Sequence, residues 1–374
     1  MSDLSREQII QRIGVGEALS HEDLEECDLK GIQVRQADFT GTNLRGAELV
    51  NALLEKTKFT DAIATNAQME SARISKSDFS NADLTKANLA KSVWLEVDFS
   101  GAILVDADVR EAVFENCTMT GAVFVGAQLE HARFIKCDLR SVNLEACALS
   151  QVALREVSLS AANLSGARLD GCDCSGIDFT DTQLIGASLS NAKLTGCKFV
   201  GSDLIGAALR RANLNGADFT KADLDGADLT DVSAVEARFE STSLNGANLE
   251  HADLRKAQMN QTRLPLANLT GANLAGTILR WADLAGAKLD EAQFDGADLC
   301  HANLHAISER NTQWGRARLD YVEKTNSERR RAETWRWSGV EEERKRIERG
   351  ALPRRARDRH PVVDEGPIDA AVSD

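Results

Sequence analysis

Apolar residues mark every fifth position of the chain from Leu24 to Leu304, which makes 57 consecutive units without an insertion. Two residues before each centre, from Cys27 to Ala302, stands a small or β-branched residue, most often Ala, and the other three positions are largely polar or Gly. An apolar, polar, apolar triplet has the two-residue period of a strand, and the two residues that follow it are typical of a turn. Residues five positions apart do not lie on one face of a helix, so the pattern does not predict a helix. Each unit is therefore predicted to be a short strand and a corner.

The Phe residues indicate how many units complete one coil. Most of them stand at centres that are separated by multiples of twenty residues, or four units, so four units are predicted to complete one coil. The Phe rings should then stack in a column inside an all-β square solenoid of about 14 coils and roughly 70 Å. Eight of the twelve Phe residues stand in this column: Phe39, Phe59, Phe79, Phe99, Phe179, Phe199, Phe219 and Phe239.

The repeated unit A[D/N]LXX, written three times in GADFTKADLDGADLT over residues 216–230, resembles that of the pentapeptide-repeat proteins. The resemblance covers residues 22–319, about four fifths of the chain. It implies a right-handed quadrilateral β-helix. It also implies a range of functions, because the family includes DNA mimics that bind type II topoisomerases and secreted effectors.

The segment over residues 1–21 is predicted to form a capping helix over the open N-terminal edge of the solenoid. Ser5 and Gln8 are predicted to form a capping box, Ile9, Ile10 and Ile13 give an apolar side, and Gly14 or Gly16 ends the helix. The same segment, SREQIIQRIGVGEAL, resembles the joint before repeat modules in type VI secretion accessory proteins.

After residue 319 the composition changes. Residues 320–352 are predicted to form a charged helical tail, because capping and i,i+4 ion-pair signals replace the repeat. From Arg329 to His360 there are twelve Lys or Arg and six Asp or Glu. Residues 353–374 are expected to be disordered.

Cysteine placement argues against disulfides and metal. Six of the eight Cys take the small inward position, and Cys174 takes a centre, so they replace Ala and Leu. Cys300 is expected to point outward near His301 and His305, but no fourth ligand is evident and we predict no metal site. The six inward cysteines are Cys27, Cys117, Cys137, Cys147, Cys172 and Cys197.

Composition narrows the functional classes. The net charge is −14, and no secretory or membrane-length apolar run occurs. A cytoplasmic protein is therefore expected, and a bacterial source is part of the scaffold hypothesis. With six His, none beside a candidate nucleophile and acid, and no phosphate-binding loop, the sequence indicates neither an enzyme nor a cofactor.

One functional hypothesis is mimicry of DNA by an acidic column, directed at a type II topoisomerase such as gyrase. Lys58, Lys198 and Arg238 interrupt the column, and the charge is modest for so many coils. The solenoid itself is not expected to bind nucleic acid directly. The aspartates of this proposed column are Asp38, Asp78, Asp98, Asp138, Asp178, Asp218 and Asp298.

The preferred hypothesis is a non-catalytic rigid scaffold that binds other proteins or a second copy of itself. A role as an accessory to a bacterial secretion system or its effectors is one form of this hypothesis. Its predicted contact residues are apolar residues at outward positions, where polar residues or Gly are usual. They are an apolar block of Ile103, Val105, Val123 and Val125, and the corner residues Leu266 and Trp281. A second apolar group is expected on the opposite face, at Val93, Leu95, Val113 and Ile135.

Overall fold

The computed structural model describes residues 4–328. The chain divides into two compact units, Met1–Thr325 and Asn326–Asp374, and almost all of the second lies outside the described residues. Most of the predicted helical tail over residues 320–352, and all of the segment over residues 353–374, therefore stay predictions. The β pairing of the first unit continues beyond residue 319, because Glu323 pairs with Asn303.

The chain begins with one helix, α1 (Arg6–Gly14). The Ser5 hydroxyl accepts a hydrogen bond from the backbone N–H of Gln8, and the Gln8 side chain accepts one from the Ser5 N–H, so the predicted capping box is present. Ile9 is fully buried in the core. The Arg6 guanidinium donates to the carbonyl oxygens of Asp28 and Lys30, over 3.1 and 2.8 Å. Through these contacts α1 packs against the first repeats.

Seven three-residue strands form one parallel sheet, in which neighbours along the chain are also neighbours in space. Each residue pairs with the residue twenty positions later, as Val93 does with Val113. The strands are β1 (Gln33–Arg35), β2 (Leu53–Glu55), β3 (Arg73–Ser75), β4 (Val93–Leu95), β5 (Val113–Glu115), β6 (Arg133–Ile135) and β7 (Ala153–Arg155).

Single parallel bridges continue the same register along the rest of the solenoid. They run from the pair of Asp23 and Asn43 to the pair of Asn303 and Glu323, and each joins residues twenty apart. The fold is therefore an all-parallel β-solenoid, in which equivalent positions of successive repeats lie above one another.

The core is made of the predicted inward positions, and all twelve Phe side chains are buried. The rings of Phe179 and Phe199 stack with centroids 4.8 Å apart, and those of Phe199 and Phe219 with centroids 4.7 Å apart. Trp94 is fully buried and meets the ring of Phe99 edge-on, and its indole N–H donates to the Ser92 hydroxyl over 2.6 Å. The predicted aromatic column is confirmed, and a buried indole is tolerated because its polar atom has a partner.

The small inward position also accepts hydroxyl and thiol groups, because most of them have a carbonyl oxygen within reach. Thr182 donates to the carbonyl of Leu159 over 2.9 Å, and the thiol of Cys172 makes the equivalent contact with Leu149 over 2.9 Å. All eight Cys are free and buried. Burial raises the pKa of the Cys147 thiol to about 11. Seven of these cysteines serve as core side chains.

Cys300 differs from its prediction. Its position is outside the core, yet the residue is only 7% exposed. Its thiol lies beside the carboxylate of Asp320 in the next coil, with Sγ 3.6 Å from Oδ2. Neighbouring coils bring polar side chains close enough to cover an outward group, and a single repeat does not reveal this.

The inward register can be tested with three substitutions. Ala222 is 2% exposed and Phe219 is fully buried, whereas Ala285 lies half-buried at a corner. We expect Ala222→Trp to lower the free energy of unfolding by about 3 kcal/mol through overpacking, and Phe219→Asp to lower it at least as much through a buried charge. Ala285→Lys should change it by less than about 0.5 kcal/mol. Urea denaturation followed by circular dichroism measures all three, and equal midpoints would contradict the register.

Candidate protein-binding surfaces

The structure brings the four residues of the predicted apolar block together. Ile103 and Val123 form a parallel bridge, and the N–H of Asp106 donates to the carbonyl of Val125, which places Val105 and Val125 at the same corner of adjacent coils. Ile103 is 39% exposed, and the three valines are half-buried. The block is therefore one continuous apolar patch on the outside of the solenoid.

The second predicted group, on the opposite face, is less continuous. Val93 and Val113 are paired between β4 and β5. Glu115 pairs with Leu95 on one side and with Ile135 on the other, so a carboxylate stands between those two apolar residues. This group is therefore a suitable control surface for the block.

Two exposed isoleucines were missed by sequence reasoning. Ile185 and Ile205 are 44% and 41% exposed. They stand twenty residues apart at the same corner column as Val105 and Val125, so comparing the outward residues of each column would have found them.

Leu266 and Trp281 lie at the second corner position, where the backbone is left-handed. Both have φ of 60°, and both side chains are well exposed, at 67% and 59%. A left-handed conformation costs an L-residue about 1–2 kcal/mol unless it is Gly, Asn or Asp. Bulky apolar side chains at such exposed corners bury little surface in the core, so packing does not offset this conformational cost.

Trp281 begins an aromatic stack that the sequence prediction did not include. Its indole lies parallel to the imidazole of His301, with centroids 3.9 Å apart, and His301 stacks on Tyr321 at 5.0 Å. The three residues are spaced by twenty, which is the sequence signal for the stack. They border an open groove of about 280 Å³ that also includes Arg280, Arg318 and Asp320.

The charges around this groove are paired with one another. Asp298 accepts from Arg280 over 2.6 Å and lies 3.3 Å from Arg318. Burial raises the pKa of Asp298, but hydrogen bonds from Cys300 and Arg280 outweigh this effect and hold its pKa at about 2. The groove therefore offers no unpaired guanidinium to an anionic ligand.

The predicted acidic column is present, and all seven aspartates are half-buried. Most of them accept hydrogen bonds from the residue two positions later. Asp78 accepts from the N–H and hydroxyl of Ser80, over 2.8 and 2.6 Å, and Asp138 accepts from the guanidinium of Arg140. These carboxylates therefore stabilise their own corners. Lys58 and Lys198 stand in bridges between members of the column.

Among residues 4–328, no group of three or more His, Cys, Asp or Glu is arranged to hold a metal ion, and this includes Cys300 with His301 and His305. No helix in that part of the chain is long and apolar enough to cross a membrane.

Family models for the repeat match most of the solenoid. One, described as a pentapeptide repeat region, matches residues 107–176. A second model, described as pentapeptide repeats (8 copies), matches residues 23–61, 52–90, 77–116, 162–201, 197–233, 235–271 and 267–305. The chain belongs to the pentapeptide-repeat family. Both models describe the repeat itself.

No curated protein matches this pentapeptide-repeat chain. Among solved structures, HetL, a pentapeptide repeat protein involved in heterocyst differentiation regulation in the cyanobacterium Nostoc sp. strain PCC 7120, is 22% identical with a TM-score of 0.22, and the match covers 85% of this chain and 96% of HetL. QnrB1, a plasmid-mediated fluoroquinolone resistance protein, is 21% identical with a TM-score of 0.18, over 61% of this chain and 93% of QnrB1. A thylakoid-lumen protein from Arabidopsis thaliana is 27% identical with a TM-score of 0.19, over 30% of this chain and 68% of that protein.

The low pKa of Asp298 predicts a pH dependence of stability. A carboxyl whose pKa is depressed in the folded state stabilises the fold above its unfolded pKa, and this contribution is lost as the pH falls through the folded pKa. We expect Asp298→Asn to make the urea midpoint less dependent on pH between the ordinary value of 3.8 and about 2. Arg280→Gln should have part of the same effect. An identical pH profile for Asp298→Asn and the parent protein would contradict the prediction.

Proposed function

We propose that this pentapeptide-repeat protein is a non-catalytic rigid scaffold that binds protein through the block of Ile103, Val105, Val123 and Val125. The observation that carries the proposal is the contiguity of the block. Four β-branched apolar side chains lie together on an outer surface whose other positions are mostly polar. Contiguous exposed apolar patches on soluble proteins commonly mark interaction sites.

The proposed scaffold is a right-handed, quadrilateral β-helix of about 14 coils. Support for four sides comes from the paired positions, which recur every five residues while their partners lie twenty residues away. Because the coils stack in one register, the position of each coil relative to the next is fixed. Partners bound near Val105 and near Trp281 would therefore be held at a fixed separation, and α1 would close the N-terminal edge. The block serves a cytoplasmic bacterial partner in this proposal, and an accessory role beside a secretion system is compatible with it.

The matched test compares two faces of the same solenoid. We expect Val105→Lys with Val123→Lys to weaken capture of the partner at least tenfold, because two ammonium groups enter the centre of the contact. Val93→Lys with Val113→Lys makes the same change on the opposite face and should leave capture unchanged. Affinity capture from the native cell with quantitative mass spectrometry is the measurement, with far-UV circular dichroism as the folding check. Unchanged capture by the first variant would remove the block from the proposal.

Mimicry of DNA is the second candidate, and the acidic column gives it limited support because its carboxylates are engaged with their own corners and with basic neighbours. We expect no inhibition or protection of gyrase in a supercoiling assay at about 10 µM protein. Inhibition that disappears in the triple variant Asp98→Asn, Asp138→Asn, Asp178→Asn would instead favour mimicry over the scaffold.

A further inference from the structure

A shallow groove of about 390 Å³ crosses the first three strands of the sheet, β1, β2 and β3. The inward side chains of Val34 and Leu54 form its floor. Two columns of outward residues border it, and the strand pairing holds each column in register. One column is Gln33, Leu53 and Arg73, and the other is Arg35, Glu55 and Ser75.

This groove is basic, although the chain is acidic. Lys56 and Lys76 directly follow Glu55 and Ser75 at the adjoining corner. The outward positions of the three coils on this side, from residue 33 to residue 76, therefore hold four basic residues and one acidic residue, a net charge of +3, whereas the chain carries −14. We call the six bordering residues together with Lys56 and Lys76 the basic groove.

Three of the four positive charges have no carboxylate partner. Arg35 is engaged, because its Nη2 lies 3.2 Å from Oε1 of Glu55. Arg73, Lys56 and Lys76 are exposed, and none of them forms an ion pair within the described residues 4–328. The groove beside Trp281 differs in this respect, since its guanidinium groups are bound to Asp298. The basic groove can therefore accept carboxylates without first breaking an ion pair.

An apolar side chain lies among these charges. Leu53 is 41% exposed and is paired with Gln33 on one side and with Arg73 on the other. A ligand that offers only negative charge would leave this side chain in water, so the groove favours a ligand with both carboxylates and an apolar group.

We propose that the basic groove binds a short acidic segment of another protein in an extended conformation. An apolar residue of that segment covers Leu53, and its carboxylates contact Arg73, Lys56 and Lys76. Side chains two residues apart in an extended chain point the same way and are about 6.8 Å apart, so acidic residues belong two positions before and after the apolar one. The site goes beyond the proposed function, because it lies on the face opposite the block and does not depend on it.

The positive region is too short for a nucleic acid. Glu96 follows Lys76 one coil later in the same column, and Asp38 and Asp78 lie on either side of Lys58 on the adjacent face. Three coils span only about 10 Å. A nucleic acid carries a charge at every phosphate and would pass over these carboxylates as well. A segment with two or three carboxylates matches the unpaired charges.

The first experiment measures binding of a fluorescein-labelled synthetic peptide, in which Glu alternates with Ser around a central Leu, to the full chain by fluorescence anisotropy. We expect a Kd on the order of 100 µM at about 50 mM salt, and weaker binding at about 500 mM salt because exposed charges are screened. Arg73→Glu with Lys76→Glu should weaken binding at least tenfold, since attraction becomes repulsion. An unchanged Kd for this variant would overturn the proposal.

A matched control exists on the same sheet. Arg133 and Lys136 occupy the positions of Arg73 and Lys76 three coils later, and both are exposed. Asn116 stands there in the place of Lys56. We expect Arg133→Glu with Lys136→Glu to change the Kd less than about twofold. An equal loss in both pairs would overturn the site in favour of a general charge effect.

Folding is checked by far-UV circular dichroism, and a milder pair keeps the test valid if the Glu variant does not fold. Arg73→Gln with Lys76→Gln removes both charges without adding carboxylates, and it should weaken binding several-fold. Binding that is unchanged in this variant would also overturn the proposal.

The second experiment tests the class of ligand. A peptide with Ser in place of the central Leu should bind the parent protein about threefold more weakly, and Leu53→Ser should abolish this difference. A single-stranded oligothymidylate of the same net charge should bind more weakly than the Leu peptide. Equal binding of the two peptides, or tighter binding of the oligonucleotide, would overturn the proposed class of ligand.

The third experiment locates the peptide. A photoreactive diazirine analogue of Leu at the centre of the peptide should cross-link to residues of β1, β2 or β3, as mapped by mass spectrometry of tryptic fragments. Residues 329–360 contain twelve Lys or Arg and are the competing site by charge. Cross-links confined to those residues, or to other coils, would overturn the proposal.

Discussion

The structure depends on one constraint, the parallel pairing of each repeat with the repeat twenty residues later. Because the register is constant from Asp23 to Glu323, every side chain lies above and below the equivalent side chain of its neighbours. An inward position can then hold only side chains that pack well against the equivalent side chains of the coils above and below. Ala and Leu do so, Phe does so as parallel rings, and Thr or Cys does so when its hydroxyl or thiol reaches a carbonyl.

The same constraint shapes the outer surface. Pairing uses the backbone and packing uses the inward side chains, so outward residues contribute little to stability. Many of those that do contribute act locally, as Asp78 does towards Ser80. Function is therefore most readily sought where an outward position has neither a local role nor a polar side chain. The block at Ile103 and the exposed corners at Leu266 and Trp281 meet that description.

A stiff solenoid presents long straight columns, so a partner can bind its outer surface without rearrangement of the backbone. The block is continuous around Ile103 and Val123, whereas the opposite face places Glu115 between Leu95 and Ile135. The aromatic stack at Trp281 lies further along the solenoid, towards its C-terminal end.

The sequence alone determined the repeat, the inward and outward positions, the aromatic column and the capping box of α1, because each depends on spacing within the chain. Only the tertiary structure decided which side chains of neighbouring coils contact one another. It covered Cys300 with a carboxylate from the next coil, extended Trp281 into a stack with His301 and Tyr321, and engaged Asp298 with two guanidinium groups. Those contacts join residues about twenty positions apart, and they depend on side-chain conformations that no single repeat specifies.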